Sequence, residues 1–110
     1  VSTETLTKKQ RAHLRSLAHH LRPVLHVGKE GVTETAARAV EDAFNTRELL
    51  KVKVLEGAPE TAKESGAALA AGIAGSHLVQ VIGRTVVLYR RHPTKPEIKL
   101  PKAAAESGRQ

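Results

Sequence analysis

Gly28, Lys29, Glu30 and Gly31 make a Gly-x-x-Gly loop between a short apolar run, Val24-Leu25-His26-Val27, and a helical pattern that opens at Thr33. Glycine has no Cβ, so the chain turns tightly there and a ligand can approach its backbone. The N–H groups that begin the following helix lack intrahelical partners and lie at its positive dipole end. Lys29 adds a mobile cation. Together these suit an anion, and in particular a phosphodiester held by its oxygens, as loops that clamp backbone nucleotides do. The four residues alone fit equally a strand-to-helix turn in which glycine serves only geometry. Neither the Lys-Ser/Thr ending of a nucleoside-triphosphate loop nor the longer Gly-x-Gly-x-x-Gly dinucleotide pattern is present. Glu30 repels phosphate unless it points away or pairs with Lys29.

Further cations sit at positions that extend this chemistry. Leu50-Lys51-Val52-Lys53-Val54 alternates strictly, which places Lys51 and Lys53 on one face of a strand, about 7 Å apart. The spacing is close to that of phosphates along one nucleic-acid strand, and it also fits an ordinary solvated sheet face. Arg84, then Arg90, Arg91 and Lys95, extend a second basic track; Lys8, Lys9, Arg11 and Arg15 form a third. Six histidines (His13, His19, His20, His26, His77 and His92) show no recognised zinc spacing, so no metal site is expected. They read as surface or half-buried imidazoles. No nucleophile, base and orienting group converge in the pattern, so no enzyme and no cofactor is expected. One Phe, one Tyr and no Trp cannot furnish the stacking platform of the usual single-strand binders, which leaves backbone shape and charge as the means of recognition.

The elements that must position these residues alternate in type. Thr7 and Gln10 have capping-box spacing, and Leu14, Leu17, Ala18 and Leu21 repeat on one helical face until Arg22-Pro23 ends the helix. A strand over Val24–Val27 precedes the glycine loop. Thr33 caps a second helix with Ala36, Ala37, Val40 and Phe44 on its stripe, running to Asn45. After the lysine strand, Pro59 takes the first position of a third helix, whose stripe is Ala62, Gly66, Leu69 and Ile73, with Gly75 as the stop. His77–Ile82 and Thr85–Arg90 form a hairpin about Gly83-Arg84, where glycine suits a type II′ turn. From Pro93 on, the composition reads as a tail. The expected fold is a two-layer α/β arrangement, α-β-α-β-α-β-β, with a four-stranded mixed sheet and right-handed crossovers. It forms one domain over residues 6–100, with 101–110 a flexible end.

The chain has 110 residues and 40% apolar composition, sufficient for one packed core. It carries a formal charge of +7, unevenly placed: +4 over residues 1–30, −2 over 31–70 and +5 over 71–110. A polyanionic partner follows from that distribution, since each phosphate neutralised releases counterions. Cysteine is absent, which excludes disulfides and cysteine-ligated zinc. No apolar run reaches the ~20 residues of a membrane span, and the polar opening residues predict no signal peptide.

The segments Leu6-Thr7-Lys8-Lys9-Gln10-Arg11, Leu17 to Pro23, Val27 to Thr33, Glu48 to Val54 and Val79 to Arg90 occur in one order and at matching spacing. In them the chain resembles the bacterial YhbY family, the single-domain form of the CRM (chloroplast RNA splicing and ribosome maturation) domain, from about Leu6 to Leu100. The resemblance implies a fold similar to the C-terminal domain of translation initiation factor three. It also implies RNA binding and association with precursors of the large ribosomal subunit. Its Gly-x-x-Gly loop matches Gly28 to Gly31, where the acidic Glu30 departs from the neutral or basic residue expected. The expected RNA-contacting residues are therefore Gly28, Lys29, Glu30, Gly31, Lys51, Lys53, Arg84 and Arg90, in a cytoplasmic, monomeric, non-enzymatic protein that binds ribosomal RNA and neither a membrane nor a small-molecule substrate. A DNA-coating architectural protein is the alternative.

Overall fold

In the computed structural model, which describes residues 6–100, Thr7 starts the first helix, α1 (Lys8–Ala18). Its hydroxyl accepts the Gln10 amide and the Gln10 side chain accepts the Thr7 amide, the reciprocal box expected from the spacing. The helix ends at Ala18 rather than near Leu21, because the Leu21 amide donates to the Ala18 carbonyl in a closing turn. Leu14 and Ala18 are buried, whereas Leu17 is 39% exposed and lies off the packed face.

Strand β1 (Pro23–Val27) follows, then α2 (Glu34–Ala43), whose N-cap Thr33 accepts the Ala36 amide. Strand β2 (Leu49–Val54) leads to α3 (Ala62–Gly72). The cap of α3 is Thr61, boxed with Glu64, so Pro59 lies in the preceding turn and not at the first helical position. A Thr-x-x-Glu box satisfies two helix-end donors, which a proline there cannot do. Strands β3 (Ser76–Ile82) and β4 (Thr85–Arg90) close the hairpin, with Gly83 at φ +58° and no positive φ at Arg84, as a type II′ turn requires.

The sheet order is β1-β2-β4-β3, with β1 parallel to β2 and β4 antiparallel to both its neighbours. This is the mixed four-stranded α/β sheet expected. The number of layers is not two, however, because β2 and β4 carry buried residues on both of their faces. Leu50, Val52, Val54, Val86 and Leu88 pack with Val40 and Phe44 of α2 and Leu69 of α3. The alternate residues Leu49, Val87 and Tyr89 pack with Leu14 and Ala18 of α1. Helices α2 and α3 thus cover one face and α1 the other. The period of two that sends Lys51 and Lys53 away from the first core sends Leu49, Val87 and Tyr89 into a second one.

The segment after β4 is docked as far as residue 100. Ile98 and Leu100 pack into the α1 core. Glu48, only 6% exposed, accepts hydrogen bonds from the amides of His92, Glu97 and Ile98 at 2.7–2.8 Å. This strap falls where the composition reads as a tail. The flexible end expected over 101–110 lies outside the described residues.

Candidate nucleic-acid interface

Three turns meet at one end of the sheet. The Val54 amide donates to Arg84 O at 2.7 Å and the Leu55 amide to Val27 O at 2.8 Å. These bonds bring the Gly28–Gly31 turn, the turn after β2 and the β3–β4 hairpin side by side. Within the first, the Gly31 amide donates to Gly28 O at 2.9 Å and closes a tight β-turn.

The two glycines of that turn do different things. Gly31 has φ +75°, and a Cβ on it would lie 2.5 Å from Glu60 Oε1 and 3.0 Å from Pro59 Cγ. It is buried beneath the segment that leads into α3, so its amide is not bared to a ligand as the loop pattern anticipates. Gly28 has no positive φ, and a Cβ on it would meet only Leu55 Cδ1 at 3.9 Å. Neither backbone angle nor crowding demands glycine there. Lys29 and Glu30 form the exposed tip. The open part of the turn is therefore Gly28 to Glu30, with Gly31 as its conformational anchor.

Carboxylates also collect at this end. Glu56 approaches Arg84 at 3.9 Å, an exposed pair that contributes little on its own. Glu60 Oε1 is buried with no hydrogen-bond partner among the described residues. Thr33 takes the Ala36 amide, so the start of α2 is partly satisfied by its own cap. These features leave Gly28 and Lys29, rather than Gly31, as the open part of the loop.

Lys51 and Lys53 share a sheet face, and it is the face on which α1 lies. Lys51 is half-buried and donates from Nζ to Leu21 O at 3.1 Å, which ties it to the link between α1 and β1. Lys53 is exposed and in register with His26 of β1, itself exposed two residues before Gly28. Arg84 is exposed on the hairpin beside the glycine turn. Arg90 is not brought to this group. It ends β4 at the opposite end of the sheet, where its guanidinium lies 5.2 Å from the Phe44 ring centroid and 3.9 Å from Glu41. Its role there is packing, because the cation covers an aromatic face that would otherwise meet water. Arg11 is likewise engaged: Nη1 donates to Leu78 O at 2.7 Å and Val79 O at 3.2 Å, capping carbonyls where the pairing of edge strand β3 is irregular.

The acidic residues are segregated by element. Nine acidic residues occur between 6 and 100, and none lies on α1, β1, β3, β4 or the α1 face of β2. They occupy α2, α3, the connecting turns and the strap. On the α1 side stand Lys8, Lys9, Arg15, Lys51 and Lys53, with Glu97 on the strap that packs against the far end of that side. A field of one sign over a contiguous face attracts a polyanion before any contact is made.

Sequence reasoning did not single out Glu48. Burial raises the pKa of its carboxyl, but the amides of His92, Ile98 and Glu97, with the charge of His92, outweigh that and hold it below the ordinary value of 4.5. The available signal was an acidic residue directly before an apolar strand, with alternating Ile98 and Leu100 downstream. Among the described residues, no group of three or more His, Asp or Glu side chains is placed to hold a metal ion, and no helix is long and apolar enough to cross a membrane.

Residues 6–90 match the family model described as the CRS1/YhbY (CRM) domain. The chain is 44% identical to the probable RNA-binding protein YqeI of Bacillus subtilis over 96 residues, covering 87% of this chain and 99% of that protein. It is 40% identical over 98 residues to an RNA-binding protein of Haemophilus influenzae, covering 89% and 97% respectively. The solution structure of SAV1595 from Staphylococcus aureus superposes with a TM-score of 0.75 at 41% identity, covering 88% of this chain and all of that one.

Proposed function

The chain belongs to the CRS1/YhbY (CRM) domain family, and from that membership we propose that it is a non-enzymatic RNA-binding protein that grips structured RNA. The contact runs through Gly28, Lys29 and the backbone of the glycine turn, flanked by Arg84, and continues over Lys53 onto the α1 face. The observation that carries this reading is that, among the described residues, no carboxylate lies on α1, β1, β3, β4 or the α1 face of β2, the elements that lead to the open side of that turn. His26 and Gly28 are about 7 Å apart along the strand direction, so one backbone can follow both surfaces. Phe44 and Tyr89 are both buried, which fits recognition through phosphates and shape with modest sequence preference.

The partner is ribosomal RNA, and the protein acts as a monomer in the cytoplasm on precursors of the large ribosomal subunit. Relatives whose names record RNA binding support RNA as the partner, and the family resemblance supports the ribosomal, large-subunit part. Purified protein is expected to bind structured ribosomal RNA with an affinity that falls steeply with salt. In cell extracts it is expected to co-sediment with large-subunit precursors. Tighter binding to duplex DNA than to structured RNA at equal salt would overturn the proposal in favour of an architectural DNA-binding role.

A further inference from the structure

A cleft of about 450 Å³ opens between the C-terminal half of α1 and the sheet face that α1 leaves uncovered. Arg15, His19, His20, Lys51, Gln80 and Ile82 line it. The two histidine rings stand edge to face with centroids 5.4 Å apart, so one presents its face where the other presents its edge. Phe44 and Tyr89 are buried, His77 lies stacked on Tyr89, and the histidines exposed among the described residues are His19, His20 and His26. The chain therefore places its exposed rings on this one face, two of them in the cleft.

We propose that this cleft seats one unpaired nucleotide of the bound RNA. The inference rests on the RNA-binding reading above and adds to it a single-nucleotide site. Imidazole and guanidinium planes both stack on nucleobases, and Arg15, His19 and His20 supply them. Ile82, 51% exposed, offers an apolar wall for the base to cover. Gln80 brings an amide with both donor and acceptor atoms, able to pair with a base edge. Lys51, held by Leu21 O, sets a cation at the back of the cleft where the nucleotide's phosphate is neutralised. No acidic residue lines the cleft. Duplex RNA alone does not use such a site, because its bases are stacked and paired; a bulge or loop nucleotide does.

The test compares a fully paired RNA hairpin with the same hairpin carrying one bulged 2-aminopurine. The wild-type chain is expected to bind the bulged RNA about tenfold more tightly, within the range of one base–ring stack, and to change the probe's fluorescence on binding. His19→Ala/His20→Ala, at exposed positions, and Gln80→Ala, at a half-buried one, are expected to abolish the preference and the fluorescence change while keeping affinity for the paired hairpin. Lys29→Glu is expected to weaken both RNAs alike and keep the preference. Equal binding of the two hairpins by the wild type, or an unchanged preference in the cleft variants, overturns the cleft proposal and leaves RNA binding standing. Binding of neither hairpin by the wild type overturns both readings.

Discussion

The two ends of the sheet are built from the same residue types and do opposite things with them. At the end where β4 stops, Glu48 accepts three amides and holds the strap, and Arg90 lies over Phe44 beside Glu41. At the end where β4 starts, Lys29, Glu30 and Arg84 are exposed, and the ion pair of Arg84 with Glu56 is loose. A charged group with its hydrogen bonds satisfied inside the fold belongs to stability, whereas one left at the surface is available to a partner. Counting cations therefore does not locate an interface. Asking which cations are already engaged removes Arg11 and Arg90 and keeps Lys29, Lys53 and Arg84.

The largest expected effect tests the closed end. Glu48→Ala strips three backbone donors of their acceptor and should lower the free energy of unfolding by about 2–4 kcal/mol. Urea denaturation measures it, and RNA affinity of the folded fraction should stay the same. A change below about 0.5 kcal/mol, the level of an ordinary surface substitution, would mean that the strap contributes nothing. Because the Glu48 pKa is depressed in the folded chain, its contribution is present above the ordinary value of 4.5 and is lost as the pH falls through the lower, folded value. Wild type should therefore lose stability on acidification below pH 4.5 more steeply than Glu48→Gln, as read by thermal melts across that range.

Next come the two glycines of the open end. Gly31→Ala forces a side chain onto φ +75° and against Glu60 and Pro59, and should cost about 1–3 kcal/mol of stability. Lys29→Glu should leave the melting temperature unchanged and reduce RNA affinity about tenfold, equivalent to about 1.4 kcal/mol. Retained affinity in that variant would show that the turn is not the principal contact. Gly28→Ala should change stability by no more than about 0.5 kcal/mol, because nothing near it is crowded. Its RNA affinity should nonetheless drop several-fold, since the new methyl stands where the backbone of the ligand approaches. If Gly28→Ala bound RNA as wild type does, the contrast between the two glycines would lose its functional meaning.

Much of the fold was legible along the chain. The Thr7–Gln10 box, the Thr33 cap, the alternating lysine strand and the Gly83-Arg84 hairpin are local devices, decided by residues within a few positions of each other. The start of α3 lies three residues after Pro59, because the Thr61–Glu64 box caps the helix more strongly than a proline favours its first turn. The strap was legible only as the end of the expected domain. Residues 93–97 carry no apolar pattern, Ile98 and Leu100 are too short an alternation to show a docked segment, and what orders it is a carboxylate more than forty positions earlier.

By itself the sequence determined the order of elements, the face each strand residue takes and the excess of positive charge, because these follow from local geometry and composition. Only the tertiary structure decided that α1 lies across the sheet from α2 and α3, that Gly31 is covered while Gly28 is open, and that Arg11 and Arg90 are engaged internally. Each of those outcomes depends on which distant groups satisfy one another's hydrogen bonds and apolar surfaces, and such pairings are not encoded at any single spacing along the chain.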